Sequence, residues 1–349
     1  MLKRLSIKIL TLIFLLFYIP GCSSVNKTDN ETWLNNTNII FDDEQVDYIR
    51  ETIVPLNLNS ASDNSEEVLN YFRFYEIDFN IDAHYFGYYY SSEKKIAAHV
   101  YLNNDSKGTV LLLHGFLDHS ANTFTKLIPE LLNEGYTVAA IDLPGHGFSE
   151  GRRGDCKDFN EYYLLIKDFY NNYLHMLPGP YHILGHSTGC VGIFEALYDA
   201  SINFETYILA APLIRTDAWA LSKFGMVLFG WFLPRVPGLT KRGTTNLAYA
   251  WFIAKEDPLF VRWPPTSWVR TLFYWEKDIR DYGTNNREII ILQGQKDRGL
   301  EWEYNIEYFK NRFDNCIIKY FPNANHTLFA EPELIRNEVI DAVLYYLNN

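Results

Sequence analysis

The chain has 349 residues, 48% of them hydrophobic and 21% charged, a globular composition with ample length for a buried core. Its 31 basic against 43 acidic side chains give a formal charge of −12, which argues against a nucleic-acid binder, since that needs a basic face. No apolar run is long enough for a multi-spanning membrane protein, whose helices need about 20 apolar residues each.

The first residues read as an address. Lys3, Arg4 and Lys8 precede an 11-residue run, 9–19, that is apolar except for Thr11. This is the layout of a secretory signal peptide, assigned to residues 1–21. The run closes in Ile19-Pro20-Gly21-Cys22-Ser23-Ser24, which resembles the lipobox of bacterial lipoproteins, with Pro20 standing where a small residue is usual. The resemblance implies lipidation of Cys22 and an extracytoplasmic, lipid-anchored place in the bacterial cell envelope. Each buried acyl methylene contributes about 0.8 kcal/mol to such an anchor. Ser23 stands where an inner-membrane retention signal often has Asp, which implies the outer membrane if the cell has one. The alternative is an ordinary cleaved signal peptide with a chance cysteine.

Beyond Cys22 three cysteines remain, Cys156, Cys190 and Cys316, an odd number without metal spacing, so neither a disulfide framework nor a cysteine metal site is expected. Residues 22–70 are polar, with nine Asn between Asn26 and Asn70, and read as a tether carrying a short helix over 42–54 that Pro55 ends.

From residue 71 to 349 the pattern alternates. Strands are predicted over 96–101, 109–113, 136–141, 181–184, 207–210, 289–293 and 317–321, with helices over 122–133, 162–176, 188–199 and 332–347. The run 109–113 is continuously apolar, as in a strand buried on both faces. Such alternation predicts an α/β class with a mostly parallel sheet and helices on both faces. The rhythm breaks between about 212 and 285, which reads as an insertion.

The chemistry falls at the carboxyl ends of the predicted strands. Gly185-His186-Ser187-Thr188-Gly189, between a strand and a helix, is a Gly-x-Ser-x-Gly nucleophile elbow, in which a strained turn lifts the Ser187 hydroxyl above the sheet. A weak alcohol needs a base, and the base an orienting acid. Asp297 and His326 follow the last two strands in the order this fold uses, and no other histidine lies in the last 60 residues. Glu301 and Glu303, rivals of Asp297, fall on the next helix. Oxyanion donors are expected from the backbone N–H groups of Thr188, after the nucleophile, and of Phe116, in His114-Gly115-Phe116 after the buried strand. His146 and Ser149 read as residues that fix a loop, and His186 as a buried, hydrogen-bonded neighbour of the nucleophile.

Together, His114-Gly115-Phe116, the stretch Asp142-Leu143-Pro144-Gly145-His146-Gly147-Phe148-Ser149, the elbow, Asp297 and His326 resemble an α/β-hydrolase, and within it the monoacylglycerol lipase and bacterial lysophospholipase branch, over about residues 75–349. The resemblance implies that Ser187, Asp297 and His326 are nucleophile, acid and base. Cys190 departs from the glycine usual on the elbow helix, and Asp297-Arg298-Gly299-Leu300 from the commoner aliphatic pattern.

The insertion becomes a helical cap in this reading. It holds six of the eight tryptophans, among them Trp219, Trp231 and Trp268, which are expected to line an apolar acyl slot. Against the overall charge, it carries ten Lys or Arg and six Asp or Glu, +4, which suits an anionic head group or a membrane surface. The expected function is a serine ester hydrolase of single-chain lipids without metal or cofactor. Lysophospholipid ranks first, with monoacylglycerol lipase or general carboxylesterase activity as alternatives. The non-enzymatic alternative is a catalytically silent lipoprotein that binds lipid or a partner through the cap. Partners are then a small lipid ester and the membrane, with no nucleic acid; the sequence does not fix the oligomeric state.

Overall fold

A computed structural model describes residues 32–35, 38–60, 64–229, 234–235 and 243–349. The predicted signal peptide, Cys22 and Trp231 lie outside these residues.

The apolar runs form one eight-stranded sheet: β1 (Ala83–Ser91), β2 (Lys94–Leu102), β3 (Thr109–Leu113), β4 (Thr137–Ile141), β5 (Tyr181–His186), β6 (Thr206–Ala210), β7 (Asn285–Gly294) and β8 (Phe313–Phe321), in the order β1-β2-β4-β3-β5-β6-β7-β8. The pairs β1/β2 and β2/β4 are antiparallel and the other pairs parallel. β3 and β4 are buried at every position, which is why both read as unbroken apolar runs. Helices cover both faces, so the predicted fold class stands. One hydrophobic cluster packs Phe159, Tyr162 and Ile166 against Leu111, Leu113 and Ile183; another packs Phe124, Leu131 and Val343 against Val110, Leu112 and Leu184.

The helix expected over 122–133 is two short pieces, Ser120–Thr123 and Ile128–Asn133. Pro129 has no N–H for an i−4 bond and sits in the first turn of the second piece, where none is needed. β1, with sequence AHYFGYYYS, was not predicted, because its aromatics and central Gly87 give no aliphatic strand pattern.

The polar tether expected over 22–70 does not extend through the described residues. Helices α1 (Asp43–Thr52) and α2 (Glu66–Phe74) are capped by Asp42 and Ser65, whose side chains accept from Gln45 N and Val68 N. Trp33, Leu34, Phe41, Val46, Ile49, Tyr71 and Tyr75 share a third apolar cluster with Tyr249, Phe252 and Leu259. The apolar residues are spaced widely among asparagines, which hides them from a composition reading. Residues 54–56 also pair with the outer edge of β1, Tyr88 N donating to Val54 O (2.9 Å) and Leu56 N to Tyr88 O (2.7 Å). Gly87 permits this approach, since a Cβ there would lie 2.8 Å from Leu56 Cα.

Between β6 and β7 lie α3 (Trp219–Phe229), α4 (Leu247–Lys255) and α5 (Thr266–Asp278). On α5 the buried Glu276 receives Arg215 and Arg280 at 2.6 Å and Lys223 at 3.5 Å.

Candidate active site

β5 runs into the helix Gly189–Leu197, and Ser187 occupies the turn between them with φ of 52°, a left-handed conformation rare for a residue with a Cβ. The flanking glycines make that turn possible. A Cβ on Gly185 would sit 2.8 Å from Gly189 C, and one on Gly189 would sit 2.2 Å from the Leu113 carbonyl oxygen. Strand, helix and the end of β3 therefore meet backbone to backbone beneath Ser187, and the turn is tied to β6 by Ser187 N donating to Ala210 O (2.9 Å).

His326 arrives from the loop after β8. Its Nε2 is 3.0 Å from Ser187 Oγ, and its Nδ1 is 2.8 Å from Asp297 Oδ2. An ionised carboxylate only accepts, so the ring proton belongs on Nδ1, leaving Nε2 free to accept from the serine hydroxyl. Asp297 Oδ1 accepts from Gly299 N (2.7 Å) and Leu300 N (3.1 Å). Burial alone would raise the Asp297 pKa, but the adjacent imidazole and these hydrogen bonds hold it below the ordinary carboxylate value. Asp297 is therefore the anion that orients the His326 ring. The departure in the Asp297-Arg298-Gly299-Leu300 sequence leaves the loop intact, because only its backbone N–H groups face the carboxylate.

His186 lies against His326 with its Nε2 2.9 Å from the His326 carbonyl oxygen, which it meets as a donor. Burial pushes its pKa down to about 3, so it is neutral and fixes the backbone that carries His326. Cys190 is buried and donates to Gly185 O at 3.1 Å; burial raises its pKa, and it is no nucleophile.

The loop after β3 passes close to Ser187: a Cβ on Gly115 would lie 3.2 Å from Ser187 Cβ. His114 Nε2 accepts from Leu143 N (2.8 Å), which places its proton on Nδ1, donating to Gly115 O at 2.7 Å. The 142–149 stretch folds around Asp142, whose carboxylate accepts from Ser120 N, Ser120 Oγ and Phe148 N. Ser149 Oγ donates to Asp142 O (2.6 Å) and accepts from Ala97 N, and His146 Nδ1 is 2.9 Å from Pro144 O. These are local, loop-fixing contacts, as their positions in sequence suggested.

Sequence reasoning placed Trp219 and Trp268 at the substrate. Trp219 is 4% exposed, edge-on to Phe273 with ring centroids 4.6 Å apart. Trp268 is 3% exposed and donates from Nε1 to Tyr162 OH (3.0 Å). A further contact is unexpected: the ring stacks on Phe116, 3.7 Å between centroids and 11° between planes.

Sequence reasoning also missed a buried polar group beside this loop. His119 Nε2 meets Asp257 Oδ2 at 3.3 Å, Tyr75 OH donates to Asp257 Oδ1 (2.7 Å), and Tyr249 OH donates to Asp118 Oδ2 (2.8 Å). Burial alone would lower the His119 pKa, but Asp257 raises it above the ordinary imidazole value. Asp257 shifts down in turn, so each group favours the charged form of the other. The ligand-type atoms of Asp118, His119 and Asp257 lie within 4.8 Å of one another, but the carboxylate oxygens are already committed to protein donors. The available signal was His119 just beyond His114-Gly115, with no indication in sequence of its partner 138 residues away.

The family described as serine aminopeptidase, S33 matches residues 104–333, about two thirds of the chain. The chain belongs to that family. As an S33 family member it is an α/β-hydrolase of the serine hydrolase type. A serine hydrolase-like protein of Danio rerio is 38% identical over 104 residues, which are 28% of this chain and 31% of that protein. A similar protein of Dictyostelium discoideum is 36% identical over 98 residues, and the match spans only 25% of its length. The monoacylglycerol lipase of Mycolicibacterium smegmatis is 22% identical over 262 residues, 70% of this chain and 91% of the lipase. Among solved structures, a soluble variant of monoglyceride lipase from Saccharomyces cerevisiae superposes with a TM-score of 0.65 at 21% identity, covering 77% of this chain and 97% of the other. The monoacylglycerol lipase of Paleococcus ferrophilus gives 0.60 at 24% identity, with 73% and 98% covered. These likenesses carry the fold of the S33 member described here.

Proposed function

We propose that this chain hydrolyses carboxylic esters of single-chain lipids through an acyl-enzyme on Ser187. The observation that carries the reading is the continuous hydrogen-bonded chain from Ser187 Oγ through His326 (3.0 Å) to Asp297 (2.8 Å). His326 Nε2 takes the hydroxyl proton as Oγ attacks the ester carbonyl, and Asp297 stabilises the resulting imidazolium. The N–H groups of Phe116 and Thr188 bind the oxyanion. His326 then gives its proton to the leaving alcohol. Water, deprotonated by His326, attacks the acyl-enzyme; Ser187 leaves and recovers its proton, and a fatty acid is released.

Monoacylglycerol is the favoured substrate, ahead of the lysophospholipid that composition suggested. Two observations support that order. A relative that spans 70% of this chain and two solved structures that span 77% and 73% of it are named monoacylglycerol or monoglyceride lipases. Among the described residues, five of the segment's ten basic side chains are also committed within the protein: Arg215, Lys223 and Arg280 converge on Glu276, Arg262 bonds the Ala254 and Asp257 carbonyls, and Arg235 bonds that of Trp263. Those five side chains are less available to a phosphate head group.

The proposed setting is the bacterial cell envelope, with the chain held at a membrane by lipid on Cys22; metabolic labelling with an alkynyl fatty acid, comparing Cys22→Ala, tests this. The function is tested by fatty-acid release from monooleoylglycerol and oleoyl-lysophosphatidylcholine by the purified protein and by Ser187→Ala. Ser187-dependent release favouring the glyceride is expected. Preference for the phospholipid reverses the substrate order. Cleavage of aminoacyl anilides with no release from either lipid overturns the ester reading, and failure of Ser187 to react with a fluorophosphonate leaves a silent binding protein.

A further inference from the structure

We propose that the segment between β6 and β7 sets the oxyanion geometry, with Tyr249, Asp257 and Trp268 as positioning residues for the Phe116 N–H. The inference rests on the Ser187 mechanism above and assigns that segment a task other than enclosing substrate.

Four consecutive residues of the loop after β3 are each held by a different residue of the segment. The Phe116 ring is stacked by Trp268 at 3.7 Å. The Leu117 carbonyl accepts from Val261 N at 2.8 Å. The Asp118 carboxylate accepts from Tyr249 OH at 2.8 Å, and His119 is paired with Asp257 at 3.3 Å. Leu117 has φ of 72°, a left-handed conformation that a branched side chain adopts only when its surroundings enforce it, and its two neighbours are gripped as well.

The consequence for catalysis follows from peptide planarity. Phe116 N–H and Gly115 C=O belong to one trans peptide and point in opposite directions. His114 holds the Gly115 oxygen from one side at 2.7 Å. That fixes the carbonyl end, and the remaining freedom of the plane is swing about its Phe116 end. The Trp268 stack removes that freedom. Trp268 is itself immobilised by the Tyr162 hydroxyl at 3.0 Å and is 3% exposed, so almost no ring surface is left for an acyl chain. Asp257 is equally fixed, its Oδ1 accepting from Tyr75 OH and the N–H groups of Leu259 and Phe260. An oxyanion donor acts through where it points before the charge develops, and a displacement of about 1 Å is enough to cost up to about a hundredfold in rate.

The test uses p-nitrophenyl acetate, whose acyl group is too short to need a lipid slot. The wild type is compared with Trp268→Ala, Trp268→Phe and Tyr249→Phe, with amide hydrogen exchange followed over residues 114–119. Trp268→Ala is expected to lower kcat about tenfold or more with KM nearly unchanged, and to speed exchange at 116–119. Trp268→Phe, which keeps a stacking ring, restores most of the rate. Wild-type kcat in a folded Trp268→Ala, or a loss confined to KM for long-chain esters, overturns the proposal and makes Trp268 a pocket residue. If Trp268→Ala does not fold, Tyr249→Phe decides by the same two readouts, and unchanged rate and exchange overturn the proposal. A wild type without Ser187-dependent esterase activity defeats the ester mechanism instead. The exchange measurement then still stands alone, and unaltered exchange in the variants shows that the segment does not hold the loop.

Discussion

The floor of the site and the structure above it are built by different means. Beneath Ser187, backbones touch: Gly185 and Gly189 admit neighbours that a single methyl would displace, and Gly192 brings the helix after the nucleophile within 2.3 Å, measured from a notional Cβ, of the Tyr162 carbonyl oxygen. Above it, contacts run between side chains distant in sequence. Trp33 Nε1 donates to Asn122 Oδ1 (3.0 Å), Tyr75 reaches Asp257 across 182 positions, and Tyr249 reaches Asp118 across 131. The nucleophile is thus placed by a code five residues long, while the loop that faces it is placed by partners spread over most of the chain. Short-range placement leaves a motif, and long-range placement leaves scattered tyrosines and aspartates that resemble any others.

That contrast breaks at different points with different force. Ser187→Ala should reduce ester turnover most, on the order of a millionfold, with the melting temperature near wild type, because the turn is made by glycines and not by the hydroxyl. Asp297→Asn should cost on the order of ten-thousandfold in kcat, since an amide at that point no longer enforces the His326 tautomer; a titration of rate against pH for this variant checks it. Gly189→Ala should destabilise by at least about 3 kcal/mol in urea unfolding, as its Cβ would fall 2.2 Å from the Leu113 oxygen. Trp33→Ala should cost about 3 kcal/mol of the same stability, and if the two halves are as distinct as they look it should leave labelling of Ser187 by a fluorophosphonate intact.

A separate effect is graded by pH. Burial pushes the pKa of His186 and that of His84 down to about 3 each, from an unfolded value near 6.5. Between those values the unfolded chain binds protons that the native chain refuses, so stability falls as pH falls, by up to about 1.4 kcal/mol per pH unit for each imidazole. His119 has the opposite sign. Its pKa is raised, so its contribution is complete below pH 6.5 and is lost only as pH rises through its folded value, and it gives no relief on the acid side. Unfolding midpoints that are flat from pH 6.5 to 4.5 would contradict this account.

Legibility in the sequence follows the same division. Strands β3 to β6, Ser187 and His326 could be read because aliphatic runs and the glycine-flanked turn are local signals. Asp297 was legible by order along the chain. β1 was not, since AHYFGYYYS is held by aromatic packing and by residues 54–56 on its outer edge. The packing of Trp33, Phe41 and Ile49 was lost in an asparagine-rich background, because burial against Tyr249 and Phe252 depends on residues some 200 positions later. For Trp268 the aromatic character was plain in the sequence, but that it would stack on Phe116 was not.

The Trp33 contact also sets an order of assembly. A chain made from its amino end presents Trp33 long before Asn122, and longer still before Tyr249, on which the indole packs edge-on at 4.9 Å between centroids. Among the described residues, the first to pack therefore cannot complete their contacts until α4 has been made and lies over the loop after β3. Until then the early segment is a loose end, and the finished enzyme differs from a nearly finished one by a clasp that shuts from the beginning of the chain onto its later part.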